Sequence, residues 1–150
     1  MNAKELICPV SSERINERVT RFNALFTIIL VVAGVYLHSA LVLLLLAADF
    51  YIRAFTSLKT SPLSYLSQNM VTVFKLERKP IDKAPKIFAA RLGFLMSLFI
   101  VIFSLTGLQS AALVIAGILT LFASLELLFG FCAGCYVYSY IVLVMNPDKL

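Results

Sequence analysis

Two of the chain's three cysteines, Cys132 and Cys135, stand at C-x-x-C spacing in "GFCAGC"; the third, Cys8, lies in "ICPV" near the start. Outside oxidising compartments, that spacing serves either a redox dithiol or a metal site. Six residues before Cys132, Glu126 interrupts a long apolar run. In a second apolar run Asp49 and Arg53 stand four residues apart. Ionisable groups within apolar segments are costly, usually paired, and mark functional positions. These six residues are the candidates for chemistry, and the elements that position them come next.

The 150-residue chain has the length of one domain. Its composition, 61% hydrophobic and 14% charged with a mean hydropathy of +0.94, is too apolar for an ordinary soluble protein. The apolar residues come in blocks suited to transmembrane helices, each needing about 20 residues to cross roughly 30 Å of hydrocarbon. Four spans are predicted, over residues 22–37, 40–55, 88–105 and 110–129. All five prolines fall outside them. Very short turns join the spans in pairs, so the expected fold is all-α: an integral membrane four-helix bundle of two antiparallel hairpins with cytoplasmic interfacial helices. The charged first twenty residues, with no cleavage site behind the first apolar block, read as a permanent anchor rather than a signal peptide.

Of thirteen Lys and Arg, four precede the first span, eight lie between Arg53 and Arg91, and one is Lys149. The positive-inside rule then predicts a multi-pass protein of the cytoplasmic (inner) membrane, with both termini and the loop over 56–87 in the cytoplasm. The net charge of +5 fits anionic lipid heads. Nucleic acid is a poorer partner, because no basic face carries interleaved aromatic readers. In this topology all three thiols are cytoplasmic, where a purely structural disulfide is disfavoured. The only histidine, His38, falls in an external turn, a membrane thickness from the cysteines, so it cannot complete a four-ligand zinc site. No metal is expected.

A helix running unbroken from Ser110 to Met145 would be about 54 Å long and overshoot the bilayer. A break near Gly130 is therefore expected, followed by a short apolar helix over 136–145. A restart after Cys132 would place that cysteine at a helix N-terminus, where the dipole favours the nucleophilic thiolate. Cys135, one turn on, would resolve. The bland alternative is that both cysteines are small apolar fillers.

Ser11 or Ser12 is expected to cap an N-terminal helix, with Ile15, Val19 and Phe22 on one face, lying along the membrane and carrying Cys8 toward the C-x-x-C. Arg53 is the fourteenth residue of its span and Glu126 the seventeenth of another that runs the same way. Similar depth predicts an Arg53–Glu126 pair, with Asp49 one turn deeper. Its structural alternative is a buried ion network that fixes helix register. Ala112, Ala116, Thr120 and Ser124 form a small-residue stripe for close packing, in the bundle or in a homo-oligomer. In the loop, "PLSYLSQNMVTVFKL" predicts an interfacial helix started by Pro62, with Leu63, Leu66, Met70, Val73 and Phe74 on its apolar face. "ERKPIDKAPK" reads as a basic connector.

"CPV" at 8–10, "PKIFAARLG" at 85–93 and above all "LELLFGFCAGCYVY" at 125–138 resemble a bacterial membrane family known as domain of unknown function 4395. The resemblance spans nearly the whole chain and marks Cys8, Glu126, Cys132 and Cys135. It implies thiol or sulfur chemistry with a thioredoxin-like or rhodanese-like partner. In architecture alone the chain is similar to vitamin K epoxide reductase, a small helix bundle with a C-x-x-C that reduces a quinone; that makes a quinone the one candidate cofactor, without shared motifs.

The leading functional expectation is a membrane thiol–disulfide redox protein. Cys132 would attack, Cys135 resolve, Cys8 serve as third thiol, and Glu126 with Arg53 tune protonation. The alternatives are an oligomeric transporter of a small sulfur-containing species, lined by Asp49, Arg53 and Glu126, and a non-catalytic module whose cysteines bind metal.

Overall fold

The computed structural model describes residues 14–56 and 61–145. Cys8 and the expected cap at Ser11 or Ser12 lie outside that range. Among the described residues the chain is all-α but for two three-residue strands, β1 (Arg14–Asn16) and β2 (Pro80–Asp82). The helices are α1 (Glu17–Tyr36), α2 (Ala40–Phe55), α3 (Pro62–Val73), α4 (Lys83–Leu105), α5 (Gln109–Phe129) and α6 (Ala133–Met145).

Three helices are long and apolar enough to cross a membrane: α1, α4 from Pro85, and α5. The expected second span, α2, has 16 residues and is apolar throughout except for Asp49 and Arg53. At 1.5 Å per residue it is about 24 Å long, short of a full hydrocarbon core.

The expected helix before the first span is not a separate element: Val19 and Phe22 belong to α1, and Ile15 lies in β1. That strand pairs antiparallel with β2, which occupies part of the expected connector, with Ile15 opposite Ile81. Asn16 then starts α1: its side-chain oxygen accepts from the Arg18 amide at 3.0 Å and from the Lys79 amide at 3.2 Å. One residue thus caps the helix and holds the β2 side of the chain. Glu17 adds pairs to Arg21 (2.8 Å) and Lys79 (2.9 Å). The starts of α1 and α4 are thereby tied together.

The core draws on α1, α2, α4 and α5, through residues such as Val31, Leu43, Leu46, Ile100 and Leu119. Small residues set the approach distances. A Cβ on Gly34 would lie 2.7 Å from the Leu43 side chain, and one on Gly93 would lie 2.6 Å from the Phe50 ring. Ala112 and Ala116, from the small-residue stripe, are buried, and the inward face continues through Leu119 and Ala123 rather than Thr120 and Ser124. Those two hydroxyls instead donate to the carbonyls one turn back, at 2.7 Å each.

α3 starts at Pro62 as expected, with Ser61 capping the Ser64 amide at 3.1 Å. The expected apolar face turns outward and a small, mostly polar face turns inward. Ser64, Ser67 and Val71 are buried, while Leu66, Val73 and Phe74 are exposed. Ser67 donates to Asn23 of α1 at 2.7 Å, and Phe22 stacks on Phe74. The Ser67 hydroxyl also reaches the Leu63 carbonyl of its own helix at 2.8 Å, so it is satisfied where α3 meets α1.

Candidate functional site

The α5 helix ends where the sequence requires. Gly130 takes the left-handed conformation, φ +66°, and the Phe131 amide closes back on the Leu125 carbonyl at 3.3 Å. The Gly130 amide reaches the Glu126 carbonyl four residues back at 3.0 Å, the closing bond of a glycine-dependent helix stop. The chain restarts at Ala133, directly after Cys132 as the redox reading requires and three residues before the short helix expected over 136–145. Cys132 therefore sits directly before α6. Its sulfur accepts from the Cys135 amide at 3.3 Å, and its carbonyl from the Tyr136 amide at 3.1 Å. The Cys132 and Cys135 sulfurs are paired as a disulfide, with Cα atoms 5.2 Å apart, inside the range that such a bond needs.

Two close approaches hold this segment. A Cβ on Gly134 would fall 2.8 Å from Ala89 Cβ, so α6 rests backbone-close on α4. Tyr138 meets Phe88, so both contacts lie in the first two turns of α4. A Cβ on Gly130 would fall 2.6 Å from Glu17 Oε1 and 2.7 Å from Arg21 Nη2. The charged start of α1 thus presses on the loop that presents Cys132. Gly130→Ala should cost about 1–3 kcal/mol, from the positive φ together with this collision. Unfolding by sodium dodecyl sulfate in mixed micelles should show it as a lowered midpoint.

Cys132 opens on a cavity of about 100 Å³ where α1, α2, α4 and α5 converge. Its polar lining includes Thr20, Asn23, Arg53, Lys86 and Glu126. Arg53 pairs with Asp49, its neighbour one turn back, and lies over the Phe50 ring at 4.5 Å. The other oxygen of Asp49 accepts from the Leu63 amide at 3.1 Å, so the carboxylate also anchors the first turn of α3. Glu126 pairs with Lys86 of α4 and not, as depth had suggested, with Arg53. The reason is that α4 begins at Lys83, five residues before the expected span, which turns Lys86 into the protein.

Of the expected residues, Cys132, Glu126 and Arg53 share the cavity wall. Asp49 stands behind Arg53, and Cys135 one turn behind Cys132. Cys8 lies outside the described residues. His38 is exposed in the turn between α1 and α2. Among the described residues no group of three or more His, Cys, Asp or Glu could hold a metal ion. Sequence reasoning missed Lys86 and Asn23. Lys86, Ala90, Gly93 and Ser97 recur at helical spacing and are all buried, a pattern that could have marked Lys86 as inward-facing.

No curated protein and no solved structure matches the chain. Residues 15–142 match the family described as Domain of unknown function (DUF4395), from β1 through most of α6, and the chain belongs to that family.

Proposed function

We propose that the protein is a membrane-embedded thiol–disulfide redox protein whose C-x-x-C faces the cytoplasm. The observation that supports it most is the pairing of Cys132 with Cys135 at the start of α6, with Cys132 on the wall of a polar cavity. An amide donor and the positive end of a helix stabilise a thiolate at Cys132. In the reduced protein that thiolate attacks a partner disulfide. One partner sulfur leaves as a thiolate, and a mixed disulfide forms. Cys135 then attacks Cys132 and releases the second partner sulfur. The partner gains two electrons and the pair becomes a disulfide, with no other oxidant.

A thioredoxin-like or rhodanese-like protein is the proposed partner. Cys8 is the proposed third thiol. It stands nine residues before Glu17, which presses on Gly130, and nine extended residues reach about 30 Å. In this reading α2 joins α1, α4 and α5 as a fourth span in two antiparallel hairpins of a cytoplasmic-membrane protein, and the basic residues keep both termini in the cytoplasm.

Acid-quenched trapping with a large maleimide on intact cells tests the proposal. A fraction of native chain should carry a disulfide that disappears in Cys132→Ser and in Cys135→Ser alike. Thiols that stay free under both mild oxidant and native conditions would remove the redox reading.

A further inference from the structure

We propose that the cavity beside Cys132 is a binding site for a small oxyanion of sulfate size, reached through a groove between α1 and α3. This does not rest on the thiol reading. The Arg53 side chain is only 8% exposed. One of its nitrogens meets Asp49, but among the described residues Nε has no hydrogen-bond partner. A buried guanidinium N–H left unpaired is costly, and this one belongs to a side chain on the cavity wall. Lys86 lines the same wall. Glu126 lines it as well but is paired with Lys86, so the free donor is Arg53 Nε; it selects a ligand that accepts, and the guanidinium suits an oxyanion.

The volume sets the size of the ligand. About 100 Å³ holds a few waters or one small polyatomic ion, and excludes a nucleotide or a peptide. The route is also set by the residues. A groove of about 460 Å³ lies between α1, α3 and β2, lined by Asn16, Gln68, Thr72 and Arg78 among others. Thr20 and Asn23 line both the groove and the cavity, so the two spaces share a wall there. Asn23 is held in place by Ser67 of α3. Arg53, Lys86 and Arg78, set against Asp49 and Glu126, leave one net positive charge along the route. Toward the other end of the helices the route meets the apolar core of Val31, Leu46 and Ile100.

The test is equilibrium binding of radiolabelled inorganic sulfate to the full chain in nanodiscs. Saturable binding is expected, displaced by unlabelled sulfate or sulfite but not by the bulkier benzenesulfonate. Arg53→Lys keeps a charge opposite Asp49 but loses Nε–H, and should weaken binding about tenfold or more. Arg78→Glu alters an exposed groove residue and should slow association about tenfold, most at low salt. Binding should persist in Cys135→Ser, which breaks the dithiol at a residue off the cavity wall and so separates this site from the thiol chemistry. Absence of saturable binding by folded native protein would overturn the proposal, and so would unchanged affinity in Arg53→Lys. Should that variant fail to fold, the native measurement and Arg78→Glu decide, since unchanged association there removes the groove as the route.

Discussion

Asp49→Ala destabilises the protein by about 3–5 kcal/mol, the cost of stripping a counter-charge from a buried cation. The Asp49 side chain is fully buried and serves two partners at once, Arg53 and the Leu63 amide. Alanine leaves the buried Arg53 guanidinium without its paired carboxylate, and takes the acceptor from the first turn of α3. Asp49→Asn separates the two losses. It keeps an oxygen for Leu63 but removes the charge, so α3 should stay protected in hydrogen exchange while global stability still falls. In Asp49→Ala, by contrast, exchange across α3 should rise. Pairing Asp49→Asn with Arg53→Gln should recover much of the loss, because an uncharged pair leaves no isolated ion. Unfolding in mixed micelles measures all three. A cost below about 1 kcal/mol for Asp49→Ala would mean that water reaches Arg53 and the pair behaves as an exposed one.

Strong local signals decided what could be read from sequence. Long apolar runs gave the three longest helices. Pro62 after a serine gave the start of α3, and a glycine after Phe129 gave the stop before Cys132. Each of those is fixed by the residue's own backbone chemistry. The strands β1 and β2 have three residues each, too few for a period, and their pairing spans more than sixty positions. Lys86 was hidden by its neighbours: a lysine among prolines and other bases reads as a solvated connector. Only the early start of α4 brings it round to the face of Ala90 and Ser97. The apolar face of α3 was legible at helical spacing, but which residues of its other face meet α1 was not. Ser67 meets Asn23 of α1, forty-four positions away, a pairing that no local pattern shows. The thiol site was legible as a spacing, but the cavity beside it was not, since it needs residues from four other helices.

Cys135→Ser should accumulate a mixed disulfide with the protein's redox partner, while Cys132→Ser should accumulate none and exchange only at the uncatalysed rate. The two cysteines differ in their surroundings. Cys132 stands at the start of α6 with its sulfur accepting from the residue-135 amide, a backbone group that serine at 135 retains. Cys135 lies inside the helix, where Ser139 bonds its carbonyl rather than its sulfur. A thiolate is therefore better supported at Cys132, and it should attack first. Without a thiol at 135, the Cys132–partner bond has no resolving nucleophile and persists. Non-reducing gels of trapped cells, probed for the chain, should show a shifted band in Cys135→Ser that collapses on reduction. Adding Cys8→Ser then asks whether Cys8 resolves in its place: if it does, the shifted band grows stronger in Cys8→Ser/Cys135→Ser than in Cys135→Ser alone. A shifted band in Cys132→Ser instead would reverse the roles and make the helix-interior sulfur the nucleophile. No band in either variant, with exchange intact, would remove the C-x-x-C from the chemistry altogether.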